Sequence, residues 1–319
     1  MKISRMNLAG QAAIALAILL GTTACAESTP KAGQASGAPK PAISTIPGVS
    51  TVSKITDTVG LTLPIDAYLM QSSDVDQEEN ALTILEERCM KKYGFDLTLP
   101  PLLNPDNSGT NSRRYGTPAS LRIAQQYGFH MTQNDPRSMP KHRGRRLSDA
   151  EKSVLIGATS RGTLKHFDGA SVPQGGCAGQ ANRAIAGADK HVGQPNLPAS
   201  IQASSFQISQ QDPRVIAAQG KWSQCMRAQG YQYNTTFDAI GDARWGSAYA
   251  TSQEIATATA SWHCAQKANL VGIWTAVETA YQNQQIDAHA EELKQTQVDL
   301  HNQMQHVAQI VGAAASPAP

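Results

Sequence analysis

The chain is poor in aromatic and in charged residues, which make up 5% and 16% of its 319 positions. With so few large aromatic side chains, a core has to be built mainly from small and aliphatic residues. Such a core suits helices packed through Ala and Leu better than a sheet rich in Val, Ile and Phe. We therefore predict a mainly α-helical fold.

The chain also lacks an excess of charge of either sign, with 27 Lys and Arg against 25 Asp and Glu. Two of the cations, Lys2 and Arg5, lie in an N-terminal segment that we predict to be removed, and without them the charges balance. General affinity for nucleic acid requires a concentrated basic face. A neutral chain therefore argues against nucleic acid as a partner.

Catalytic motifs of recognisable spacing are missing as well. The sequence contains no G-x-S-x-G, no P-loop, no H-E-x-x-H and no dinucleotide-binding glycine pattern. The 8 histidines are dispersed, and His301 and His306 are too far apart on a predicted helix to share a face as metal ligands. We therefore assign no catalytic residue, no metal ligand and no cofactor.

The N-terminus has the three parts of a secretory signal peptide: a basic start, an apolar run over residues 8–20 and a small-residue end. The apolar run is too short to span a bilayer comfortably as a permanent helix. We predict that residues 1–24 are a signal peptide and that the protein works outside the cytoplasm.

The cysteine after this segment, Cys25, resembles the lipid-modified cysteine of bacterial lipoproteins. Thr23 and Ala24 fit the small positions before it, whereas Thr22 stands where those signals usually have Leu. A diacyl or triacyl Cys25 would anchor the protein stably to the membrane, because more than one chain is attached. Ordinary cleavage after Ala24 or Ala26, which would give a secreted protein, is the competing prediction.

Two segments are predicted to lack a fixed structure. Residues 27–53 are rich in Ala, Gly, Ser, Thr and Pro without apolar periodicity, so they bury too little surface to offset their ordering entropy. We predict that the lipidated Cys25 and a flexible tether occupy residues 25–61, which would hold the folded part away from the membrane. The tail over residues 313–319 is predicted to be disordered.

A seven-residue pattern occurs twice, as CMKKYGF over residues 89–95 and as CMRAQGY over residues 225–231. A second echo follows each copy, CAGQAN over residues 177–182 and CAQKAN over residues 264–269. The repetition predicts two helical units with long loops, separated by a Gly/Pro/Ser-rich linker. We place the units at residues 62–187 and 205–282 and a long C-terminal helix at residues 283–312.

Apart from Cys25 the chain has an even set of cysteines, as expected of an exported protein with a disulfide framework. Four cysteines allow three connectivities. The repeat favours Cys89–Cys177 and Cys225–Cys264, each joining an early helix of a unit to a late one. A reactive Cys177 near a helix N-terminus is the alternative.

Two segments are candidate partner surfaces. A basic cluster in residues 134–146 predicts contact with an anionic envelope polymer or a lipid headgroup, with a solvated loop as the alternative. The residues assigned to that contact are Arg143, Arg145 and Arg146.

Over residues 286–311, apolar residues recur in alternating steps of four and three, as along a coiled-coil seam. Leu293, Leu300 and Met304 are the predicted contacts to a protein partner, with packing of this helix on its own domain as the alternative.

These motifs, together with PQGGCAG over residues 173–179 and Trp222 before Cys225, resemble a group of uncharacterised actinobacterial cell-envelope lipoproteins. The resemblance covers most of residues 62–282. It implies an envelope location and disulfides, and it transfers no catalytic residue because the group has no established activity. We expect a surface-anchored, non-enzymatic module that binds an envelope component or a partner protein. A cell-wall-directed enzyme whose site is assembled from loop residues is the alternative.

Overall fold

The computed structural model describes residues 46–49, 51–98, 109–137, 146–186 and 196–315. Within these ranges there are ten α-helices. They are α1 (Ser72–Lys91), α2 (Leu121–Tyr127), α3 (Asp149–Ile156), α4 (Gly176–Ala186), α5 (Asn196–Ser209), α6 (Pro213–Ala228), α7 (Thr236–Ile240), α8 (Ser252–Ala268), α9 (Leu270–Ala288) and α10 (Ala290–Ala315). The prediction of a mainly α-helical fold with a long C-terminal helix is confirmed.

Short elements complete the described part of the chain. Three 3-10 helices lie at Pro64–Tyr68, Thr132–Asn134 and Ala243–Trp245. Two antiparallel hairpins follow α3, made of β1 (Ala158–Thr159) with β2 (Gly162–Thr163) and of β3 (His166–Phe167) with β4 (Ala170–Ser171). None of the described helices combines the length and the apolarity that crossing a membrane requires.

The repeated seven residues end α1 and α6 in the same way. In both copies the glycine has a positive φ, +79° at Gly94 and +88° at Gly230. The aromatic residue after the glycine then donates its N–H to the methionine carbonyl five residues back, which is the Schellman motif. These bonds join Phe95 to Met90 at 3.2 Å and Tyr231 to Met226 at 3.0 Å. The pattern in the sequence is thus a helix ending.

Each helix ending carries a disulfide. Cys89 is bonded to Cys177 and ties α1 to α4, and Cys225 is bonded to Cys264 and ties α6 to α8. The predicted pairing is confirmed, and Cys177 is part of a bridge, so the alternative of a reactive thiol is wrong. The methionine beside each first cysteine is completely buried, so each bridge lies against a packed core.

The two predicted units are not separated in space. α2, from the first unit, packs on α8 of the second, and α5 packs on α9. The predicted linker includes the first part of α5, where Ile201 is buried and Leu197 packs beside it. Pro198 occupies the first turn of that helix, where a missing N–H is tolerated. All described residues belong to one compact unit.

The C-terminal seam faces the protein itself. The predicted helix over residues 283–312 divides between the end of α9 and α10, which packs along α1. Leu293 is completely buried against Ile65 and Leu69, and Leu300 and Met304 are partly buried. The prediction that Leu293 offers an exposed contact to a partner is therefore wrong. The same apolar stripe instead covers the core of its own chain.

Three aromatic side chains surround the ring of Trp274 in α9. Phe206 stacks on its ring with centroids 5.8 Å apart, and Tyr115 lies on it at 5.1 Å. Phe237 meets the same ring edge-on at 6.1 Å. One cluster thus joins α5, α7, α9 and the loop before α2, which is how an aromatic-poor chain packs distant elements together.

Candidate functional site

A cleft of about 320 Å³ lies between the 3-10 helix Pro64–Tyr68, residues 109–111 and α5. Its wall is partly apolar and partly polar. The apolar lining residues are Leu61, Leu69, Met70 and Ala199, and the main polar ones are Asp66, Gln71, Asn111 and Gln202. A concave site with an apolar wall and a few converging polar groups is the usual form of a small-molecule site.

Asp66 supplies the negative charge of the cleft. Its Oδ2 accepts hydrogen bonds from the backbone N–H of Leu63 at 2.7 Å and from Nδ2 of Asn111 at 2.7 Å. Its Oδ1 has only a long contact, 3.5 Å from Nε2 of Gln202. The residue is 9% exposed. This carboxylate is therefore nearly buried and held by Oδ2, while Oδ1 is weakly engaged.

Asn111 holds the carboxylate of Asp66 in place. Its Nδ2 donates to Asp66 and to the carbonyl oxygen of Leu61 at 3.2 Å. Because both of these neighbours are acceptors, the orientation of the amide is determined by the hydrogen bonds. The opposite atom, Oδ1, is buried and has no partner within the described residues. A buried acceptor without a donor costs about 1–3 kcal/mol.

A buried ion pair next to the cleft holds the two elements that form the sides of the cleft. Glu278 of α9 is completely buried and accepts from Nε of Arg114 at 2.9 and 3.0 Å. Arg114 also donates to the backbone carbonyl of Gln202 at 2.7 Å. Gln282 donates to Glu278 at 3.2 Å and accepts from the N–H of Ile65 at 3.1 Å. The network thus fixes both the 3-10 helix and α5, which carry the cleft.

A second concavity, of about 560 Å³, runs between residues 47–55 and α9. The chain comes so close to α9 there that a Cβ on Gly272 would lie 2.0 Å from the carbonyl oxygen of Ser53. Most of the α9 residues that line this groove are small or uncharged, and its one carboxylate, Asp287, is exposed. Because the groove lacks a buried charge, the cleft at Asp66 is the better candidate.

His130 pairs with a carboxylate and has a structural role. Its Nδ1 lies 2.7 Å from Oε1 of Glu254, and its Nε2 lies 2.7 Å from the carbonyl oxygen of Ser247. Both partners are acceptors, so both ring nitrogens must donate. Burial lowers the pKa of His130, but the hydrogen bonds to Ser247 and Glu254 outweigh burial and raise it. Neither nitrogen is left to activate a nucleophile.

Of the predicted polymer contact, only Arg146 is described, and it is exposed. Arg143 and Arg145 lie outside the described residues, as do Cys25 and the signal peptide. Arg137, in the same basic cluster, is paired with Asp135 through Nε at 2.9 Å. Its hydrogen bonds lower the pKa of Asp135 to about 2.

Asp66 and Asn111 were not predicted as site residues. The available signal for Asp66 is the proline two residues before it, which marks a helix start with an acid in the first turn. Asn111 lies in a stretch rich in Asn, Ser and Gly, where a functional asparagine looks like any loop residue. No group of three or more His, Cys, Asp or Glu side chains is placed to hold a metal within the ranges that the structure describes.

Comparison with protein-family models, with curated proteins and with solved structures finds no match to this chain. Three features of the chain itself bear on its function: the N-terminal pattern, the two disulfides and the cleft.

Proposed function

We propose that this protein is an extracytoplasmic lipoprotein, anchored to the membrane through Cys25, that binds a small ligand in the cleft at Asp66 without transforming it. The two disulfides support the location, since such bonds form and persist in oxidising compartments. The signal-peptide pattern and the position of Cys25 support the anchor.

The observation that carries the binding role is the weakly engaged carboxylate of Asp66 in the cleft. Asp66 and Asn111 are nearly buried there, and a network of buried side chains holds the elements that carry them. Preorganised groups of this kind cost little to order when a ligand binds. Oδ2 of Asp66, the carboxylate of the lining, is already held by the N–H of Leu63 and by Nδ2 of Asn111, which favours recognition over catalysis.

The anchor is tested with Cys25→Ser in the native host. Wild-type protein should partition into the detergent phase, because its acyl chains hold it in the membrane. The variant should appear in the aqueous phase with both disulfides formed. Wild-type protein found wholly in the culture medium would instead support secretion after ordinary cleavage.

Binding in the cleft is tested by a ligand-observed NMR screen of small organic fragments against the full-length chain. Ala199 lines the cleft on α5, so Ala199→Trp should fill the space and abolish the binding of the fragments that wild type retains. Ala203 is exposed on the same helix, and Ala203→Trp is the matched control that should keep them.

Two results, one from this screen and one from an activity assay, would contradict the binding role. Fragments that bind Ala199→Trp as well as wild type would place binding elsewhere. Turnover of peptidoglycan or ester substrates that Ala199→Trp abolishes would favour the cell-wall-directed enzyme.

A further inference from the structure

Resting on the proposed binding role, we infer that the ligand of the cleft carries a positively charged amino group on a small apolar body. The ammonium group pairs with Asp66. Charge, hydrogen bonding and shape each support this ligand.

Buried carboxylates of the described residues pair with cationic side chains. Examples are Asp135 with Arg137, Asp212 with Arg214, Glu254 with His130 and Glu278 with Arg114. Asp66 has no such partner within the described ranges, and it lines the cleft. Buried charges are normally paired, so the ligand is the expected source of the cation.

Arg114, which binds the backbone of Gln202 beside the cleft, is already engaged. Its guanidinium contacts both carboxylate oxygens of Glu278 and the carbonyl oxygen of Gln202. A planar guanidinium held in this bidentate way by a completely buried glutamate has no freedom to turn towards Asp66. Within the described ranges Asp66 forms no ion pair.

The hydrogen bonds of Asp66 leave room for a further donor. Its Oδ1 has only the 3.5 Å contact to Gln202. A group that pairs with this carboxylate must donate hydrogen bonds and accept none. An ammonium has three donors and no acceptor, whereas a hydroxyl has one donor and a carboxylate has none.

The shape of the cleft limits the body of the ligand. Leu61, Leu69 and Ala199 give the cleft an apolar wall beside Asp66. A volume of about 320 Å³ lies at the small end of the range for ligand pockets. The cleft therefore suits an aliphatic amine of a few carbon atoms better than a section of polymer.

The inference is tested with three probes of one shape: hexylamine, which is an ammonium at about pH 7, hexanol and hexanoate. Binding to the full-length protein is followed by ligand-observed NMR titration. Hexylammonium should bind at least about tenfold more tightly than hexanol, and hexanoate more weakly than either. Asp66→Asn should weaken hexylammonium by about tenfold or more and leave hexanol unchanged, because it removes the charge and keeps an acceptor for Leu63.

Asp74→Asn is the matched control. Asp74 accepts from the N–H of Gln71 at 2.9 Å, in the same capping role that Asp66 has towards Leu63, but it does not line the cleft. This variant should bind all three probes as wild type does. If Asp66→Asn does not fold, the preference of the wild-type protein for hexylammonium over hexanol tests the ammonium inference by itself.

Equal binding of hexylammonium and hexanol, or an unchanged affinity in folded Asp66→Asn, would overturn the ammonium inference. Cleft binding would still stand if Ala199→Trp abolished that binding. Failure of all three probes would also overturn the inference. The binding role would fail as well if the fragment screen found no ligand sensitive to Ala199→Trp.

Discussion

At the scale of single residues, one imidazole joins three segments of the chain. Glu254 of α8 is completely buried and accepts from the backbone N–H of Phe129 at 2.8 Å as well as from His130. A Cβ on Gly128 would lie 2.8 Å from Oε1 of the same glutamate, so the close approach requires a glycine there. His130 then reaches Ser247, which ties the loop before α8 to the end of α2.

The stabilisation from His130 should fall as pH rises. Its pKa is raised in the folded state, so the imidazolium contributes fully below its unfolded value of about 6.5 and its contribution is lost as pH rises through the folded-state pKa. His130→Ala should cost about 3 kcal/mol in free energy of unfolding at about pH 5.5, because it removes one partner of a buried pair. The cost should be smaller at about pH 8.5.

Urea unfolding of wild type and His130→Ala at the two pH values measures this difference. His166→Ala is the control, because His166 is exposed on β3; it should change the stability by less than about 0.5 kcal/mol at either pH. An equal cost of His130→Ala at both pH values would show that the imidazole acts by packing alone.

Sequence reasoning could not find the cleft residues, for a physical reason. Asp66 and Asn111 are 45 residues apart and meet only because the 3-10 helix and the loop before α2 pack against α5. Such a contact has no period and no spacing in the chain. A lone aspartate in a helix start and an asparagine in a polar loop each have an ordinary local explanation.

At the scale of elements, local signals were sufficient where the structure is local. The glycine that ends α1 and the one that ends α6 stand at the same place in the repeated seven residues, because a positive φ depends on the residue type itself. The seam of α10 was different. A stripe of apolar residues has the same period whether it covers its own domain or a partner, and burial of Leu293 decides the matter.

Replacing either helix-ending glycine by alanine should destabilise the fold. Gly94 and Gly230 have positive φ with no atom within 4 Å of an added Cβ, so the cost is backbone strain alone, about 1–2 kcal/mol for each. Gly220 is the matched control, in the exposed interior of α6 with equally open space and no positive φ. Gly220→Ala should stabilise the protein by about 0.5–1 kcal/mol.

Thermal unfolding of the three single variants, with both disulfides intact, measures these effects. The signs should be opposite, with Gly94→Ala and Gly230→Ala below wild type and Gly220→Ala above it. If Gly230→Ala were as stable as Gly220→Ala, the Schellman ending of α6 would contribute nothing and the repeat would need another explanation.

At the scale of the whole molecule, the pairing of cysteines was predictable and the docking of helices was not. The repeat relates an early and a late cysteine in each copy, and this relation can be recognised from the sequence alone. Nothing comparable relates α2 to α8 or α5 to α9, since those contacts depend on complementary surfaces. The two predicted units therefore merge into one compact unit in the structure.

Removing either disulfide should cost nearly the same free energy of unfolding, although the loops differ in length. The bridges Cys89–Cys177 and Cys225–Cys264 span sequence separations of 88 and 39 residues. In the chain-entropy model, losing them costs about 4.6 and about 3.9 kcal/mol, a gap of only about 0.7 kcal/mol, because the entropy that a bridge removes from the unfolded chain grows with the logarithm of loop length. Urea unfolding of the two double Cys→Ala variants measures both costs, after peptide mapping without reductant confirms the bridge that each one keeps. A much larger cost for Cys225–Cys264 would contradict the entropic account and show that this bridge mainly holds native packing between α6 and α8.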